Sequence, residues 1–141
     1  MLIQLVTGPA CVLVWKVEVT SHVVQGRIDE HGRVLLPVIL IASDGVEIEV
    51  EAHVSIEYDG ALAVNDELAR SMGWRCLGAR RVVVGTHTVL MDHYIGTVAL
   101  GREPESVVVL GGINKTALVG TRLMSRRKLT LDFVDGQVVF E

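Results

Sequence analysis

Hydrophobic and polar residues alternate with a period of two along much of the chain. The clearest segment is 46–54, where the apolar positions Val46, Ile48, Val50, Ala52 and Val54 are separated by Glu47, Glu49, Glu51 and His53. Side chains of a strand point alternately to its two faces, so this segment predicts a strand with one apolar and one acidic face. We interpret the acidic face as solvated outer surface rather than as a metal or cation site.

Turn residues divide the chain into further short strands. Residues 29–32 and 43–45 combine small polar residues with a glycine, which is typical of hairpin turns. Between them lies an apolar strand at 33–42, in which Pro37 predicts an edge position or a bulge, because proline cannot donate to a ladder. The other predicted strands are 12–20, 23–28, 62–64, 80–84, 88–100, 106–110, 117–119, 128–133 and 137–141.

Two short helices are predicted among these strands. Asn65 or Asp66 can accept hydrogen bonds from the free N–H groups at the start of a helix that ends at Gly73. A second helical turn fits residues 121–126. The pattern therefore predicts an all-β chain with two short helices.

The composition narrows the possible functions. Hydrophobic residues make up 50% of the 141 residues but aromatic residues only 4%, so the core must be aliphatic. The net charge of −4 argues against a broad nucleic-acid-binding surface, and we expect no nucleic-acid partner.

Cys11 and Cys76 are too few for a disulfide framework or a metal knuckle, and His87 and His93 are too unevenly spaced to indicate a metal site. We therefore predict no metal and no cofactor.

The apolar windows of the chain are too short for a membrane-spanning helix. Residues 11–19 and 34–42 are the most apolar stretches, and each falls well below the about 20 residues that a span needs. The first ten residues lack the basic start of a signal peptide, so we expect them to be folded structure. We predict a cytoplasmic protein with no membrane partner.

Basic residues cluster at Arg80-Arg81 and at Arg126-Arg127-Lys128, with Arg122 nearby. Such clusters could meet phosphate. We interpret the first as a solvated strand face. The second is interpreted as the end of a short helix, where cations suit the helix dipole.

Six motifs follow one another between Gly26 and Glu141. They are a glycine-to-proline hairpin at 26–37, an Asp-Gly turn at 44–45, Tyr58-Asp59-Gly60, Glu67-Leu68-Ala69, Ala117-Leu118-Val119-Gly120, and Leu129-Thr130-Leu131-Asp132-Phe133. Each motif is weak alone. Their order and spacing together resemble those of bacterial retropepsin-like aspartic peptidases.

The resemblance implies an all-β, retropepsin-like closed barrel over residues 26–141, to which residues 1–25 add one or more N-terminal strands. It also implies a homodimer, because such chains build their cleft at a two-fold interface. The tip of the mobile flap that covers the cleft would be Gly85, Thr86 and His87. The second apolar–glycine motif of the fold would be Leu118, Val119 and Gly120.

The chain departs from this family where Asp-Thr-Gly is expected, at Ser55-Ile56-Glu57. Such peptidases use two carboxylates, one from each half of a two-fold pair, that share a proton across about 3 Å. Ser55 supplies no general base, Ile56 supplies no hydroxyl, and Glu57 places bulk and charge where a glycine is expected. We therefore predict a catalytically inactive domain that binds a peptide or protein partner, or that serves a regulatory role.

Two alternatives stay open. Asp59 with Gly60 could act as a displaced Asp-x-Gly motif, which would make the chain an active aspartic endopeptidase. The simpler interpretation of Asp59 is a turn residue that caps local backbone. Residues 28–37 also resemble the swapped-hairpin DNA-binding domains of bacterial regulators. Those domains carry basic residues after the proline, however, where this chain has Val38-Ile39-Leu40-Ile41.

Overall fold

The structure, a computed structural model, describes residues 2–7, 13–18 and 23–141. Most of these residues lie in strands, as the alternating pattern predicts. In chain order the elements are β1 (Leu2–Thr7), β2 (Leu13–Glu18), β3 (Val24–Ile28), β4 (Val34–Ile41), β5 (Glu47–Val54), β6 (Leu62–Asn65), α1 (Asp66–Ser71), β7 (Arg75–Val84), β8 (His87–Ala99), β9 (Glu105–Gly112), β10 (Ala117–Val119), β11 (Leu129–Asp132) and β12 (Gln137–Phe140).

Ten strands form one sheet, in the order β11-β12-β3-β4-β5-β10-β6-β9-β8-β7. A further antiparallel pairing joins residues 39–41 of β4 to residues 97–99 of β8. This pairing closes the six strands from β4 to β8 into a barrel, so the prediction of an all-β closed barrel is confirmed. β1 and β2 form a separate two-stranded antiparallel sheet. The domain boundary at residue 26 stays a prediction.

Besides Trp74, Tyr94 and Phe140, the core is filled by aliphatic side chains, as the low aromatic content predicts. Burying each of them contributes on the order of 1.5–3 kcal/mol, before the cost of ordering the chain. The largest fully buried side chains are Phe140, Leu36, Leu40, Leu62, Met72, Val38, Val64, Val98, Val109, Val119 and Val138. Within the described ranges, no helix has the length and apolar character that crossing a membrane requires.

Pro37 lies in a central strand, at a point where one side of that strand has no partner. β5 pairs with β4 along its whole length, including Pro37 with Glu51. On the other side, β3 pairs only with Val34 and Leu35, and β8 pairs only with residues 39–41. Pro37 lies between these two paired segments, so it has no strand neighbour on that side and is placed there as at the edge of a sheet.

The apolar face of β5 is buried only in its second half. Ala52 is fully buried, whereas Val46 is 55% exposed and Ile48 is 38% exposed. β10 pairs with β5 only at residues 52–54, so the start of β5 has no neighbour on that side. The predicted strand with one apolar and one acidic face is present, and the apolar face is exposed at residues 46–48.

The first predicted helix is confirmed. The Asn65 side chain accepts a hydrogen bond from the Glu67 N–H at 2.9 Å, which caps α1 at its N-terminus. Gly73 follows the helix with a φ of +71°, a conformation that glycine adopts without steric cost. The Tyr94 hydroxyl donates to the Asp66 carboxylate at 2.7 Å and fastens the helix to β8.

The second predicted helix, at 121–126, is wrong: these residues form consecutive turns. Two bonds of i→i+3 type occur there, from the N–H groups of Ser125 and Arg127. Arg126 then takes a φ of +64°, which breaks any helical continuation. The N–H groups of Thr121 and Arg122 are also held by carbonyls of another loop rather than freed for a helix cap.

β7 begins at Arg75, five residues before the predicted start at residue 80. Gly78 signals a break in the sequence, but in the structure it belongs to a bulge. The register of β7 against β8 shifts between Cys76 and Gly78, and Gly78 has a φ of +97°. The bulge absorbs the glycine, so the strand continues through it.

The two phenylalanines of the chain give a matched test of this core. Phe140 is 0% exposed and lies beneath the Arg127 guanidinium, 4.1 Å from its ring centroid, whereas Phe133 is 67% exposed. Phe140→Ala is expected to lower the free energy of unfolding by about 3–5 kcal/mol, because it leaves a cavity. Phe133→Ala is expected to change it by less than about 0.5 kcal/mol. Urea unfolding measures both, and equal losses would contradict this assignment of the core.

The turn between β3 and β4 is organised by one carboxylate. Asp29 accepts hydrogen bonds from the N–H groups of His31 and Arg33, each at 2.9 Å, and from the Arg33 Nε at 2.7 Å. Burial acts to raise the pKa of Asp29, but these hydrogen bonds outweigh it. The pKa of Asp29 falls to about 2.

A lowered carboxylate pKa makes stability depend on pH with a definite sign. The stabilisation from Asp29 is complete above its ordinary pKa of 3.8 and is lost as the pH falls through about 2. Asp29→Asn should therefore lower the melting temperature at neutral pH and have progressively less effect in acid. Thermal unfolding of both proteins across this range tests it. A difference that is constant with pH would show that the carboxylate charge is not involved.

Candidate functional site

The loop at residues 55–61 is held by a strand that inserts between its two ends. β5 leads into the loop and β6 leads out of it, and β10 lies between them, parallel to β5 and antiparallel to β6. The Ser55 N–H donates to the Val119 carbonyl at 2.9 Å, and the Gly120 N–H donates to the Ala61 carbonyl at 2.9 Å. Both ends of the loop are thereby attached to one strand.

The middle of the loop is bound by the residues that follow β10. The Thr121 N–H donates to the Tyr58 carbonyl at 2.9 Å, and the Arg122 N–H donates to the Gly60 carbonyl at 3.2 Å. The two backbones are so close at Gly120 that an added Cβ would lie 2.0 Å from the Gly60 carbonyl oxygen. Only glycine permits this approach, which explains why the predicted apolar–glycine motif ends in Gly120.

The three residues at the predicted catalytic position lie at the start of this loop. Ser55 is half-buried, Glu57 is exposed, and Ile56 is 77% exposed. An apolar side chain this exposed contributes nothing to the core of the described chain. Among the residues that the structure describes, no group of histidine, cysteine or carboxylate side chains is arranged to hold a metal ion.

The hairpin of β7 and β8 faces the loop. Gly85 and Thr86 form its two-residue tip, and Gly85 has a φ of +63°, as such tight hairpin turns require. A groove of about 440 Å³ lies between hairpin and loop, lined from the two sides by Gly85 and Ser55 among others. We call it the aliphatic groove, because most of its other lining residues are apolar: Ala63, Val64, Val82, Val83, Val84, Val89, Met91, Leu110, Ile113 and Leu118.

A second groove of about 780 Å³ lies on the other side of Glu57, and we call it the charged groove. It is lined by charged or titratable side chains from four parts of the chain: Glu57, Asp59, Arg80, Arg81, His93 and Arg122. Burial raises the pKa of the Tyr58 phenol, and the neighbouring Asp59 carboxylate adds to the increase. Because its pKa is raised, Tyr58 stays a neutral hydrogen-bonding group at ordinary pH. It lines both grooves.

The structure brings together some of the residues singled out by the sequence and separates others. Ser55, Glu57, Gly85 and Leu118 line the aliphatic groove, and Asp59 lines the charged groove with Glu57. The remaining candidates line neither groove: Ile56, Thr86, His87, Val119 and Gly120. Val119 is fully buried, so Val119 and Gly120 support the loop rather than the groove walls.

Sequence reasoning missed the arginines of the charged groove. Arg80 and Arg81 are interpreted from the sequence as solvated strand face, and Arg122 as part of a helix-end cluster. In the structure they converge on one groove, although Arg122 is about forty residues away along the chain. No local signal could have revealed this convergence, because it depends on β10 being inserted beside the loop.

The close approach at Gly120 predicts a large effect of a small substitution. Gly120→Ala should lower the free energy of unfolding by about 1–3 kcal/mol or more, because backbone atoms must separate to admit the methyl group. Gly112→Ala is the control, since its Cβ would meet only the Val64 carbonyl oxygen at an ordinary 3.8 Å. Chemical unfolding of the two variants compares them. Equal effects would show that the loop and β10 can move apart without cost.

Comparison with known proteins identifies the fold. No family model matches the chain, and no curated protein matches it either. Its structure is similar to the crystal structure of a retropepsin-like aspartic protease from Rickettsia conorii, with a TM-score of 0.59. The match covers 89% of this chain and 96% of that one, at 13% sequence identity. The expectation of a retropepsin-like fold, drawn from the order of short motifs, is therefore confirmed.

Proposed function

We propose that this chain is a catalytically inactive, retropepsin-like domain that binds an extended peptide between the loop at 55–61 and the hairpin of β7 and β8. The observation that carries the proposal is the position of Ser55-Ile56-Glu57. These residues start the loop that β10 holds in place, with a groove on either side. The site thus has a supported loop and a groove that can bind a chain, but it lacks the catalytic residues that the family uses.

The residues at positions 55–57 lack the groups that the aspartic mechanism uses. Hydrolysis by the aspartic mechanism needs one carboxylate as general base on water and a second as general acid. A serine hydroxyl at position 55 does not accept a proton at ordinary pH. Ile56 has no hydroxyl to donate, and Glu57 brings a charged side chain to a position where the family uses glycine.

The edge strand β7 supports the proposal of peptide binding. β7 is the last strand of the sheet and pairs only with β8 in the described part of the chain. Its residues 80–83 line the charged groove, and its residues 82–84, with Gly85 of the following turn, line the aliphatic groove. An extended peptide can add to such an edge by main-chain hydrogen bonds.

The exposed apolar residues near the site support a homodimer. Ile56 is 77% exposed, Val83 is 73% exposed and Ile113 is 84% exposed. Apolar surface concentrated around a groove is typical of an interaction site. A two-fold partner would cover part of it and would complete the cleft, as the family resemblance implies.

We also propose a cytoplasmic location. Cys76 is an exposed free thiol, which suits a reducing compartment.

One alternative has an observation in its favour. Asp59 is exposed and lines the charged groove, so its carboxylate is accessible to a bound chain. In that case the domain would be an active aspartic endopeptidase that uses Asp59. One experiment separates the two functions.

Cleavage of an unfolded protein substrate should be measured between about pH 3 and pH 7, because a carboxylate pair of this kind holds one shared proton at the acid end of this range and loses it as the pH rises. We expect no cleavage by the natural chain or by Asp59→Asn. The combined variant Ser55→Asp, Ile56→Thr, Glu57→Gly restores the family motif and is expected to cleave the substrate.

Two results decide between the proposals. A silent natural chain and an active combined variant would support an intact groove that has lost only its chemistry. Cleavage by the natural chain that disappears in Asp59→Asn would contradict inactivity and establish Asp59 as the catalytic residue.

A further inference from the structure

The edge of β7 changes character along its length. Its middle part, beside the charged groove, carries Arg80 and Arg81 in succession, and its last part carries Val82, Val83 and Val84. Successive side chains of a strand point to opposite faces. Each face of this edge therefore carries one arginine side chain, Arg80 or Arg81, followed two residues later by a valine side chain, Val82 or Val83.

On either face of the sheet, a peptide added to this edge would place its side chains beside an arginine and then beside a valine. Directly opposed side chains of neighbouring strands lie about 4.5–5.5 Å apart at Cβ, within reach of an ion pair or an apolar contact. The positions opposite Arg80 and Arg81 favour carboxylates. The positions opposite the three valines favour aliphatic side chains, which the aliphatic groove also accommodates.

The charges that line the charged groove also favour a carboxylate ligand. Arg122 reaches the charged groove from the segment after β10 and gives it three guanidinium groups against the two carboxylates Glu57 and Asp59. Arg80, Arg81 and Arg122 are all exposed, and none of them forms an ion pair within the described residues. The aliphatic groove has Glu57 as the single charged residue in its described lining.

We propose that the groove selects an extended peptide in which carboxylates lie next to a run of aliphatic residues. Arg80 and Arg122 bind the carboxylates, because guanidinium groups pair with them through charge-assisted, bidentate hydrogen bonds. Val83 and Ile113 contact the aliphatic run. This inference rests on the proposed peptide-binding function and adds a substrate class to it. The carboxylate can come from an acidic side chain or from the end of a peptide chain.

The test uses the full chain and short fluorescent peptides that share an aliphatic run of Val and Leu. Three peptides with amidated ends carry a Glu-Glu, a Gln-Gln or a Lys-Lys pair beside that run, and a fourth carries Gln-Gln and a free terminal carboxylate. Fluorescence anisotropy measures their affinities. The Glu peptide is expected to bind about tenfold more tightly than the amidated Gln peptide and the Lys peptide most weakly. The preference should shrink as salt is added.

Variants of two arginines of the charged groove test the preference, and a variant of a third exposed arginine is the matched control. Arg80→Gln and Arg122→Gln are each expected to reduce the preference for the Glu peptide severalfold, without changing the unfolding curve. Arg75→Gln removes a cation from the same strand but from outside both grooves, and is expected to leave the preference unchanged.

The outcomes distinguish this inference from the function on which it rests. Equal binding of the Glu and Gln peptides, or tighter binding of the Lys peptide, would overturn the carboxylate preference and leave peptide binding intact. Absence of binding by all four peptides would overturn both. A free-acid Gln peptide that matches the Glu peptide would support the preference and assign it to a chain end.

Discussion

The insertion of β10 between β5 and β6 is the constraint on which the rest of the site depends. The strand holds the ends of the loop at 55–61 through Val119 and Gly120, and the residues after it bind the middle of the loop. These bonds join backbone to backbone, so they are insensitive to the side chains that the loop carries. Their one strict demand is the absence of a side chain at Gly120, where a Cβ would lie 2.0 Å from a carbonyl oxygen.

This independence means that the path of the loop does not depend on which side chains stand at residues 55–57. A loop supported by its backbone keeps its path whichever side chains it carries at residues 55–57, because Ser55, Ile56 and Glu57 are half-buried or exposed and lie outside the buried core. The scaffold and the chemistry are separable for a physical reason. Stability comes from burial around residues such as Leu36 and Phe140, whereas the reaction would need two specific carboxylates.

The free edge of β7 has a corresponding role on the opposite wall. Exposed edge strands invite pairing with other chains, and proteins commonly protect them with charges. Arg80 and Arg81 are such charges, and they lie beside a groove that also receives Arg122. In the binding mode that we propose, the same residues that discourage indiscriminate pairing would select one class of extended peptide.

The sequence by itself determined the strands, the capped helix α1, the aliphatic core and the order of motifs that indicated a retropepsin-like barrel. These features are local, since alternation and turn residues act over a few positions. It also singled out residues 55–57 as the position at which the resemblance implies Asp-Thr-Gly, and this assignment stays a prediction. The tertiary structure alone decided that residues 121–126 are turns, because their N–H groups bond to the loop at 55–61. It alone exposed the start of β5, where β10 ends, and brought Arg80 and Arg122 to one groove. Each of these outcomes depends on contacts between segments far apart in the chain, which no local pattern of residues records.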